Sequence, residues 1–450
     1  MKKLTVLLIL LSLLLCPVRV FANSAPKYWE GSGGTGVYAL EDCPVEVTHE
    51  RLVFDISSFP SSPLSSYDAS VTANYTFHNT GGEAIDVRLV FPFGLLPSYA
   101  GKADPEELVG SGRYEVRENG SKTDTVLRAT YYGRHQTFDL SKDLSQLRDT
   151  YREDDFYHPD TPVYEYHFLA NVEKMQGPNA EARAEWSFTP GSFTVTGSFN
   201  SISHDKGVSA VGVFVTYDEE FTVYLIGNKA DIVWQFTEEE AEGAIELREV
   251  KETTLLDYAL SRKDIPSLSD TDWYNALVDE YIETDNRGIV SDYDLSNNLM
   301  FWLEYSLHFD KNGTLENSVK APLWPYIDGH YEDPIHTYTY LLSPASAWKD
   351  FGDLDIEINT PYYLLKNEPG TAEKTESGYR LHFDSLPEKE LSFDLCASED
   401  PKPAHSDTYV NIFLIFMGVA LLLFILLLVI IIRIIKRIRR KRRMKSRERA

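Results

Sequence analysis

The sequence has few cysteines and lacks the short motifs that mark two large classes of hydrolase. Three of its 450 residues are cysteine. Neither Gly-x-Ser-x-Gly, the nucleophile elbow of α/β-hydrolases, nor His-Glu-x-x-His, the zinc-binding signature of metalloproteases, occurs. The Gly-rich stretch at residues 31–36 is followed by no Gly-Lys-Ser/Thr, which excludes a phosphate-binding loop.

Two of the cysteines lie near opposite ends of the chain. In an oxidising exterior such an isolated pair predicts a disulfide between Cys43 and Cys396, and two separate thiols are the alternative. Cys396 is in step with Ser392 and Asp394 on the polar face of its strand, so we expect a bridge at the surface. A bridge would also remove the cysteine nucleophile that a thiol enzyme requires.

Two apolar runs, one at each end, predict export and membrane anchoring. Residues 1–22 have a basic start, an apolar middle and a small residue at the end, as in a secretory signal peptide. A lipoprotein signal that ends at Cys16 is the alternative, but Leu15 stands where a small residue is expected. Residues 412–432 carry no charge, and a helix over 409–432 would match a hydrocarbon core of about 30 Å.

The basic C-terminal segment predicts the orientation in the membrane. Residues 433–450 contain eleven Lys and Arg against one Glu, which favours the cytoplasmic side and contact with lipid headgroups. We therefore expect a single-pass protein of the cell membrane, with its N-terminal body extracellular and its tail cytoplasmic.

Outside the two ends, basic charge is scarce. The chain carries −26, the first 22 residues carry +3 and the last 18 carry +10, so the body between them carries −39. Such a surface repels nucleic acid and anionic wall polymers. The acidic surface would attract cations or basic partners. The alternative is that the acidic charge serves only solubility.

The composition and the polarity pattern predict a mainly β body. The chain has 27 Tyr, 23 Phe and 7 Trp, residues that favour strands. Apolar side chains alternate with polar ones at Val71, Ala73, Tyr75 and Phe77, and again at Ile85, Val87, Leu89 and Phe91. A turn at 80–82 separates these runs, so we expect a hairpin with one buried face.

One strand breaks this alternation. The apolar residues Val45 and Val47 fall on odd positions, whereas Leu52 and Phe54 fall on even ones. This change of alternation predicts a bulge or break near residues 49–51. The fold class is therefore mainly β, with two β-sandwich-like regions, a helical insertion and one C-terminal transmembrane helix. The expected ranges are a signal peptide at 1–22, an irregular segment at 23–38, a sandwich at 39–245, a helical connector at 246–297, a second sandwich at 298–397, a stalk at 398–408, the membrane helix at 409–432 and a basic tail at 433–450.

Two stretches resemble a known group of proteins. VTANYTFHNTGGEAIDVRLVFPF, followed far downstream by HTYTYLLSPASAWKDFGDLDIEINTP, is similar to an uncharacterised family of secreted or membrane-anchored β-rich proteins of Gram-positive bacteria. The resemblance implies an envelope-exposed β protein and carries no activity, because neither stretch is a catalytic motif.

Four polar side chains in one loop suggest a metal site. His330, Glu332, Asp333 and His336 have ligand chemistry and lie within seven residues, although their spacing fits no specific site. The alternative is that they are ordinary polar loop residues. Calcium is the other ion considered, at Asp285, Asp292 and Asp294 or at the turn after Asp310, and neither stretch matches an EF-hand loop. No further cofactor is predicted.

Aromatic residues in the loop 322–340 suggest a ligand surface. Trp324, Tyr326 and Tyr331 would stack on sugar rings if they were exposed together, and otherwise they fold back onto the sandwich. The preferred hypothesis is a non-enzymatic surface protein of a bacterial cell envelope that binds a protein or a cell-wall glycan. The alternatives are a cell-envelope hydrolase or carbohydrate-binding protein that uses this loop, and the extracellular part of a sensor or membrane complex.

Overall fold

The computed structural model describes residues 34–35, 38–39, 43–60, 67–92, 113–132, 142, 144–174, 180–187, 193–205, 207–215, 218–236, 244–284, 288–291 and 295–404, with single positions at 418, 424 and 433. The signal peptide, most of the predicted membrane helix and nearly all of the basic tail therefore lie outside the described residues.

Strands dominate the described part of the chain. In chain order they begin with β1 Gly34–Thr35, β2 Tyr38–Ala39, β3 Val45–Asp55, β4 Ser70–Asn79, β5 Ile85–Pro92, β6 Glu115–Glu118, β7 Ser121–Lys122, β8 Val126–Tyr131 and β9 Pro162–Ala170. They continue with β10 Ala180–Ser187, β11 Phe193–Gly197, β12 Ser201–Asp205, β13 Val208–Val215, β14 Glu219–Gly227, β15 Trp234–Phe236, β16 Ile245–Thr254 and β17 Ile289–Ser291. The last are β18 Leu299–Phe309, β19 Thr314–Pro322, β20 Tyr326–Asp328, β21 Ile335–Leu341, β22 Phe351–Asn359, β23 Tyr363–Glu368, β24 Glu373–Lys374, β25 Gly378–Phe383 and β26 Leu391–Cys396.

In the described part of the chain, two α-helices with defined bounds interrupt the strands. They are α1 Leu255–Ser261, which Thr254 caps by accepting from the amide of Asp257, and α2 Asp270–Thr284. Short 3-10 turns occupy Val172–Lys174, Leu295–Asn298 and Ser343–Ala347.

The strands form five sheets. Sheet 1 has eight strands in the order β24-β25-β22-β3-β4-β19-β6-β7. Sheet 2 is β1-β21-β26-β23 with β20 beside β21, and sheet 3 is β2-β5-β18-β8. Sheet 4 is β16-β9-β14-β11-β17, and sheet 5 is β12-β13-β10-β15.

Sheet 1 packs its inner face against sheets 2 and 3. The Phe54 ring of sheet 1 meets Tyr340 and Phe393 of sheet 2 edge to face, with centroids 5.9 and 5.2 Å apart. Phe77 of sheet 1 meets Phe309 of sheet 3 at 5.9 Å. These contacts belong to one continuous apolar core that also includes the buried sides of α1 and α2.

Sheets 4 and 5 enclose a second core. The Phe168 ring of sheet 4 packs on Trp234 of sheet 5 at 5.7 Å, and Val211 of sheet 5 is buried beside Val195 of sheet 4. The mainly β prediction and its sandwich character are therefore confirmed.

The predicted C-terminal membrane helix requires correction. Among the described residues no helix has both the length and the apolar character needed to cross a bilayer. The longer of the two described α-helices, α2, has 15 residues and carries several acidic side chains.

Strand pairing joins the two ranges predicted as sandwiches, 39–245 and 298–397. β3 pairs in parallel with β22, from Phe351 opposite Val47 to Asn359 opposite Asp55, although about 300 residues separate them in the chain. Sheets 1 and 3 thus combine strands from both ranges. The alternation of polar and apolar residues shows which face of a strand is buried, but it does not show which strand is the neighbour.

The predicted hairpin at 71–91 is wrong, because alternation does not show which strand is the neighbour. β4 pairs with β3 and β19 in sheet 1, whereas β5 pairs with β18 and β2 in sheet 3, so the turn between them crosses from one layer to the other. Their buried faces were predicted correctly, because both strands face the shared core.

Three further boundaries differ from the expected ones. The predicted connector at 246–297 begins as the edge strand β16 and only then becomes helical. The segment at 23–38 contributes the short strand β1 and the start of β2. The start of the predicted stalk folds back onto a loop, where the Glu332 amide donates to the Lys402 carbonyl at 2.8 Å and the Ala404 amide to the His330 carbonyl at 2.7 Å.

Candidate functional site

A bulge at Thr48 in β3 changes the direction of the side chains that follow it. The pairing with β4 shifts register between Val47 and His49, so the predicted bulge is confirmed at a position just before the expected range. Unbroken alternation would put His49 in the core with Val47. The bulge instead turns His49 outward and the next residue, Glu50, inward.

A glycine on the neighbouring strand makes room for this bulge. A Cβ atom at Gly352 would lie 2.1 Å from the Thr48 carbonyl oxygen, a distance that no real side chain tolerates. The absence of a side chain at this position lets β22 approach β3 closely and sets Asp353 opposite His49.

The outward side of the bulge carries a cluster of ligand-type residues. His49 Nδ1 lies 2.9 Å from Asp353 Oδ2. Asp355, two residues further along β22, points to the same face, and the ligand atoms of these three side chains lie within 4.8 Å of one another. No other group of three His, Cys, Asp or Glu in the described part of the chain meets this criterion.

Asp355 is held by two further side chains. Arg380 Nη2 and His382 Nδ1 each lie 3.1 Å from Asp355 Oδ1. Burial alone would raise the pKa of Asp355, but these hydrogen bonds and charges outweigh it and lower the pKa below its usual value. Asp355 therefore holds its charge and its orientation through β25.

The inward side of the bulge buries a carboxyl group. Glu50 has no exposed surface and accepts from the Tyr340 hydroxyl at 3.4 Å, and the Tyr75 hydroxyl lies 3.3 Å from that of Tyr340. Burial raises the pKa of Glu50 to about 7, and the two tyrosines lower it only in part. Glu50 belongs to the interface of sheets 1 and 2.

A polar cleft of about 570 Å³ opens at the end of sheet 1 where β3 and β22 both finish. Its wall includes the ends of these strands, the start of β4 and the turn before β25, and its lining residues are Asp55, Ile56, Ser57, Asp68, Ser70, Lys320, Asn359, Thr360, Pro361, Glu376 and Ser377. Asn359 Nδ2 donates to Asp55 Oδ1 at 2.9 Å, which ties the two strand ends together.

The backbone around the cleft is fixed by main-chain contacts. The Thr360 amide donates to the Ser377 carbonyl at 2.9 Å. Gly378 has φ +151°, and a Cβ atom there would lie 1.9 Å from the Ile358 carbonyl oxygen, so the turn that carries Glu376 fits against β22 only with glycine. The cleft is thus formed in advance of any ligand.

The cleft brings together charged side chains that form no ion pair. On the outer face of the same sheet several charges are paired, as in Arg51–Glu357 at 2.8 Å and His78–Glu46 at 3.0 Å. Within the described residues, Asp68, Lys320 and Glu376 make no ion pair, although they line one cavity. The cleft therefore offers both signs of charge to a ligand, with the negative sign in excess.

The four metal-ligand candidates of the loop do not converge. His330 is exposed and contacts Asp328 at 2.6 Å, whereas Asp333 accepts from the Ser398 hydroxyl. His336 is buried, and its ring stacks on Phe59 with centroids 3.7 Å apart. Burial lowers its pKa to about 4, so it is a neutral core side chain. Glu332 contributes its backbone amide to the contact with Lys402.

The aromatic candidates do not form one surface. Trp324 is buried and packs on Tyr67 at 5.1 Å, whereas Tyr326 is half exposed on β20 and Tyr331 bridges to Pro403. Of the calcium candidates, Asp285, Asp292 and Asp294 lie outside the described residues. Asp310 belongs to the turn between β18 and β19, where its carbonyl accepts from the Gly313 amide at 2.9 Å.

The predicted disulfide is absent. Cys43 and Cys396 are not bridged, and Cys396 is buried instead of lying on a polar face. Cys43 precedes the start of β3, whereas Cys396 pairs with Tyr363, just beyond the end of β22. Because β3 and β22 run in parallel for about 30 Å, Cys43 before β3 and Cys396 of sheet 2 near the far end of β22 are much further apart than the roughly 7 Å between Cα atoms that a disulfide allows.

Sequence reasoning missed every residue of the bulge cluster and of the cleft. His49 and Asp353 are 304 positions apart, and Asp353 stands in an ordinary alternating strand. The phase slip in β3 was the one local signal, and it marked the strand without revealing its partner.

Comparisons with known proteins give little. No family model and no curated protein matches the chain. Among solved structures, the chain is similar to a "putative nutrient binding protein" from Legionella pneumophila, with 10% sequence identity, a TM-score of 0.35, and coverage of 81% of this chain and 70% of the other. At this TM-score the likeness supports no argument about fold or function.

Proposed function

We propose that this chain is an exported, non-enzymatic binding protein that holds a small polar solute in the end cleft of sheet 1. The observation that carries the proposal is that three charged side chains without an ion pair in the described part of the chain, Asp68, Lys320 and Glu376, line that one cleft. Unpaired charges at a preformed concave site lower the cost of binding, because few protein contacts must be broken first.

The charges of the cleft favour one class of ligand. Three carboxylates, Asp55, Asp68 and Glu376, face one ammonium group, Lys320. A solute with a positively charged group, such as an amine or a zwitterion, gains the largest electrostatic attraction there. The body's charge of −39 supports the same preference and disfavours nucleic acid as a partner.

Export is the part of the proposal that rests on the sequence. The leader-like residues 1–22 support secretion from the cytoplasm. Cell fractionation tests this part, since the mature chain is expected outside the cytoplasm without its leader, and a full-length cytoplasmic chain would contradict it.

A ligand screen on the purified full-length chain tests the cleft. Amines, amino acids, neutral sugars and organic acids are added singly, and the melting temperature is followed for each. We expect the cationic and zwitterionic solutes to raise it and the organic acids to have no effect.

Matched variants locate the effect. Asp68→Asn and Glu376→Gln should reduce the shift, while Glu252→Gln, which removes an exposed acid on β16 of sheet 4, should leave it unchanged. A shift that survives both cleft variants, or a screen in which only organic acids bind, would refute this assignment.

The hydrolase and glycan hypotheses lose their main support. They depended on Trp324, Tyr326 and Tyr331 being exposed together, and Trp324 is buried.

A further inference from the structure

We propose that His49, Asp353 and Asp355 form a binding site for one divalent transition-metal cation on the outer face of sheet 1. The proposal does not rest on the function assigned to the cleft, because it uses different residues further back along the same strands.

Backbone geometry brings the three ligands together. His49 and Asp353 are direct partners across the parallel pair β3 and β22, and Asp355 follows Asp353 on the same face. Their ligand atoms lie within 4.8 Å of one another, so small rotamer adjustments would bring all three to about 2.1 Å from a common centre. Rigid strands hold this arrangement better than a loop would.

The bulge is what makes this cluster. Without the register shift at Thr48, His49 would point into the core, and the outer face would present no imidazole beside the two carboxylates. The close approach at Gly352 keeps the two strands in this alignment.

The ligand set selects the kind of cation. One imidazole nitrogen and two carboxylate oxygens suit Zn²⁺ and similar ions, whereas Ca²⁺ and Mg²⁺ prefer sites made of oxygen alone. Three protein ligands leave a coordination position for water or for a ligand group.

Asp355 is prepared for this role by its other contacts. Arg380 and His382 both bind Oδ1, which leaves the second oxygen of this carboxylate to face the cation. Such outer contacts fix the orientation of a ligating carboxylate. The positive charge of Arg380 weakens the attraction for a cation, so we expect an exchangeable site and not a buried structural one.

Isothermal titration tests the site with Zn²⁺ alone and with Ca²⁺ alone. The full-length chain is prepared without a polyhistidine tag and freed of metal by chelation. We expect saturable binding of one Zn²⁺ per chain, and no comparable binding of Ca²⁺.

Single substitutions assign the ligands. Asp353→Asn and His49→Gln should each weaken Zn²⁺ binding about tenfold or more. His78→Gln is the matched control, because His78 and Glu46 form a similar His–carboxylate pair on the same face without a third ligand in the described residues. Melting temperatures measured in chelator verify that each variant is folded.

The outcomes separate the site from its alternatives. Absence of saturable Zn²⁺ binding, or equal affinity in wild type, Asp353→Asn and His49→Gln, would overturn the proposal. Zn²⁺ binding that Asp68→Asn abolishes would place the cation in the end cleft and would overturn it as well. Tighter binding of Ca²⁺ than of Zn²⁺ would refute the proposed cation class.

Discussion

Two buried titratable side chains respond to pH in opposite directions. Glu50 lies between sheets 1 and 2 with a raised pKa, and His336 lies under Phe59 with a lowered pKa. In both cases burial favours the neutral form, since neither group has a full charge partner. Glu50 is therefore expected to lower stability as pH rises, and His336 to lower it as pH falls.

Glu50 is expected to destabilise the protein as pH rises. Its pKa is about 7 in the folded state against 4.5 as a model group, so its stabilising effect is complete below pH 4.5 and is lost as pH rises towards 7. The corresponding loss in the free energy of unfolding is about 3 kcal/mol. Urea unfolding of Glu50→Gln should show a flatter profile over this range than wild type, and parallel profiles would contradict this explanation.

His336 is expected to act on the acid side. Its pKa falls from 6.5 to about 4 in the folded state, so its contribution is complete above pH 6.5 and is lost as pH falls towards 4. We expect the free energy of unfolding to fall by about 2 kcal/mol, after allowance for solvent screening. His336→Phe retains the stack on Phe59 and should reduce the loss of unfolding free energy at pH 4 to 6. Identical acid sensitivity in this variant would assign the effect to other groups.

At the scale of single elements, the bulge in β3 depends on one small residue of β22. Gly352→Ala places a Cβ atom 2.1 Å from the Thr48 carbonyl oxygen, against backbone that cannot move freely. We expect a loss of about 2–4 kcal/mol in chemical unfolding. Gly82→Ala is the matched control, because a Cβ atom there meets nothing within 4 Å, and it should change stability by less than about 0.5 kcal/mol. Equal effects of the two substitutions would argue against a close approach at the bulge.

Helix α2 is attached to sheet 3 by a buried ion pair. Arg128 donates to both oxygens of Asp272 at 2.8 and 3.1 Å, and it also contacts Glu304. Asp272→Ala leaves the arginine without its most buried partner, so we expect a loss of about 3 kcal/mol in urea unfolding. Arg51→Ala breaks the exposed pair with Glu357 and should cost under about 1 kcal/mol. A small effect at Asp272 would show that Glu304 and Asp149 together compensate Arg128.

The sequence was informative about elements and uninformative about their neighbours. The alternation in β4 and β5 identified their buried faces, and the phase slip identified the bulge. The pairing of β3 with β22 leaves no local trace, because any apolar strand face of similar length could serve as partner. The cleft and the bulge cluster both depend on that pairing, so neither could be found before the sheet order was known.

For the molecule as a whole, the two thiols provide a direct check of the sheet order. The parallel β3–β22 pair separates Cys43, which precedes β3, from Cys396 of sheet 2, which lies near the far end of β22, so reduction should leave the melting temperature unchanged. Thermal unfolding with and without dithiothreitol measures this. A lower melting temperature on reduction would indicate that the two cysteines form a disulfide. That result would contradict the register of β3 and β22.

β22, which pairs with β3, is synthesised late. Ribosomes add about 5–20 residues per second, so some 300 residues of chain must emerge before β22 can join the strand that starts at Val45. During that interval the first strand has an open edge of the kind that recruits other chains. A cell that makes this protein must therefore keep its first half from aggregating until the last quarter is complete, so helper proteins that hold nascent or translocating chains should determine its yield more than its final stability does.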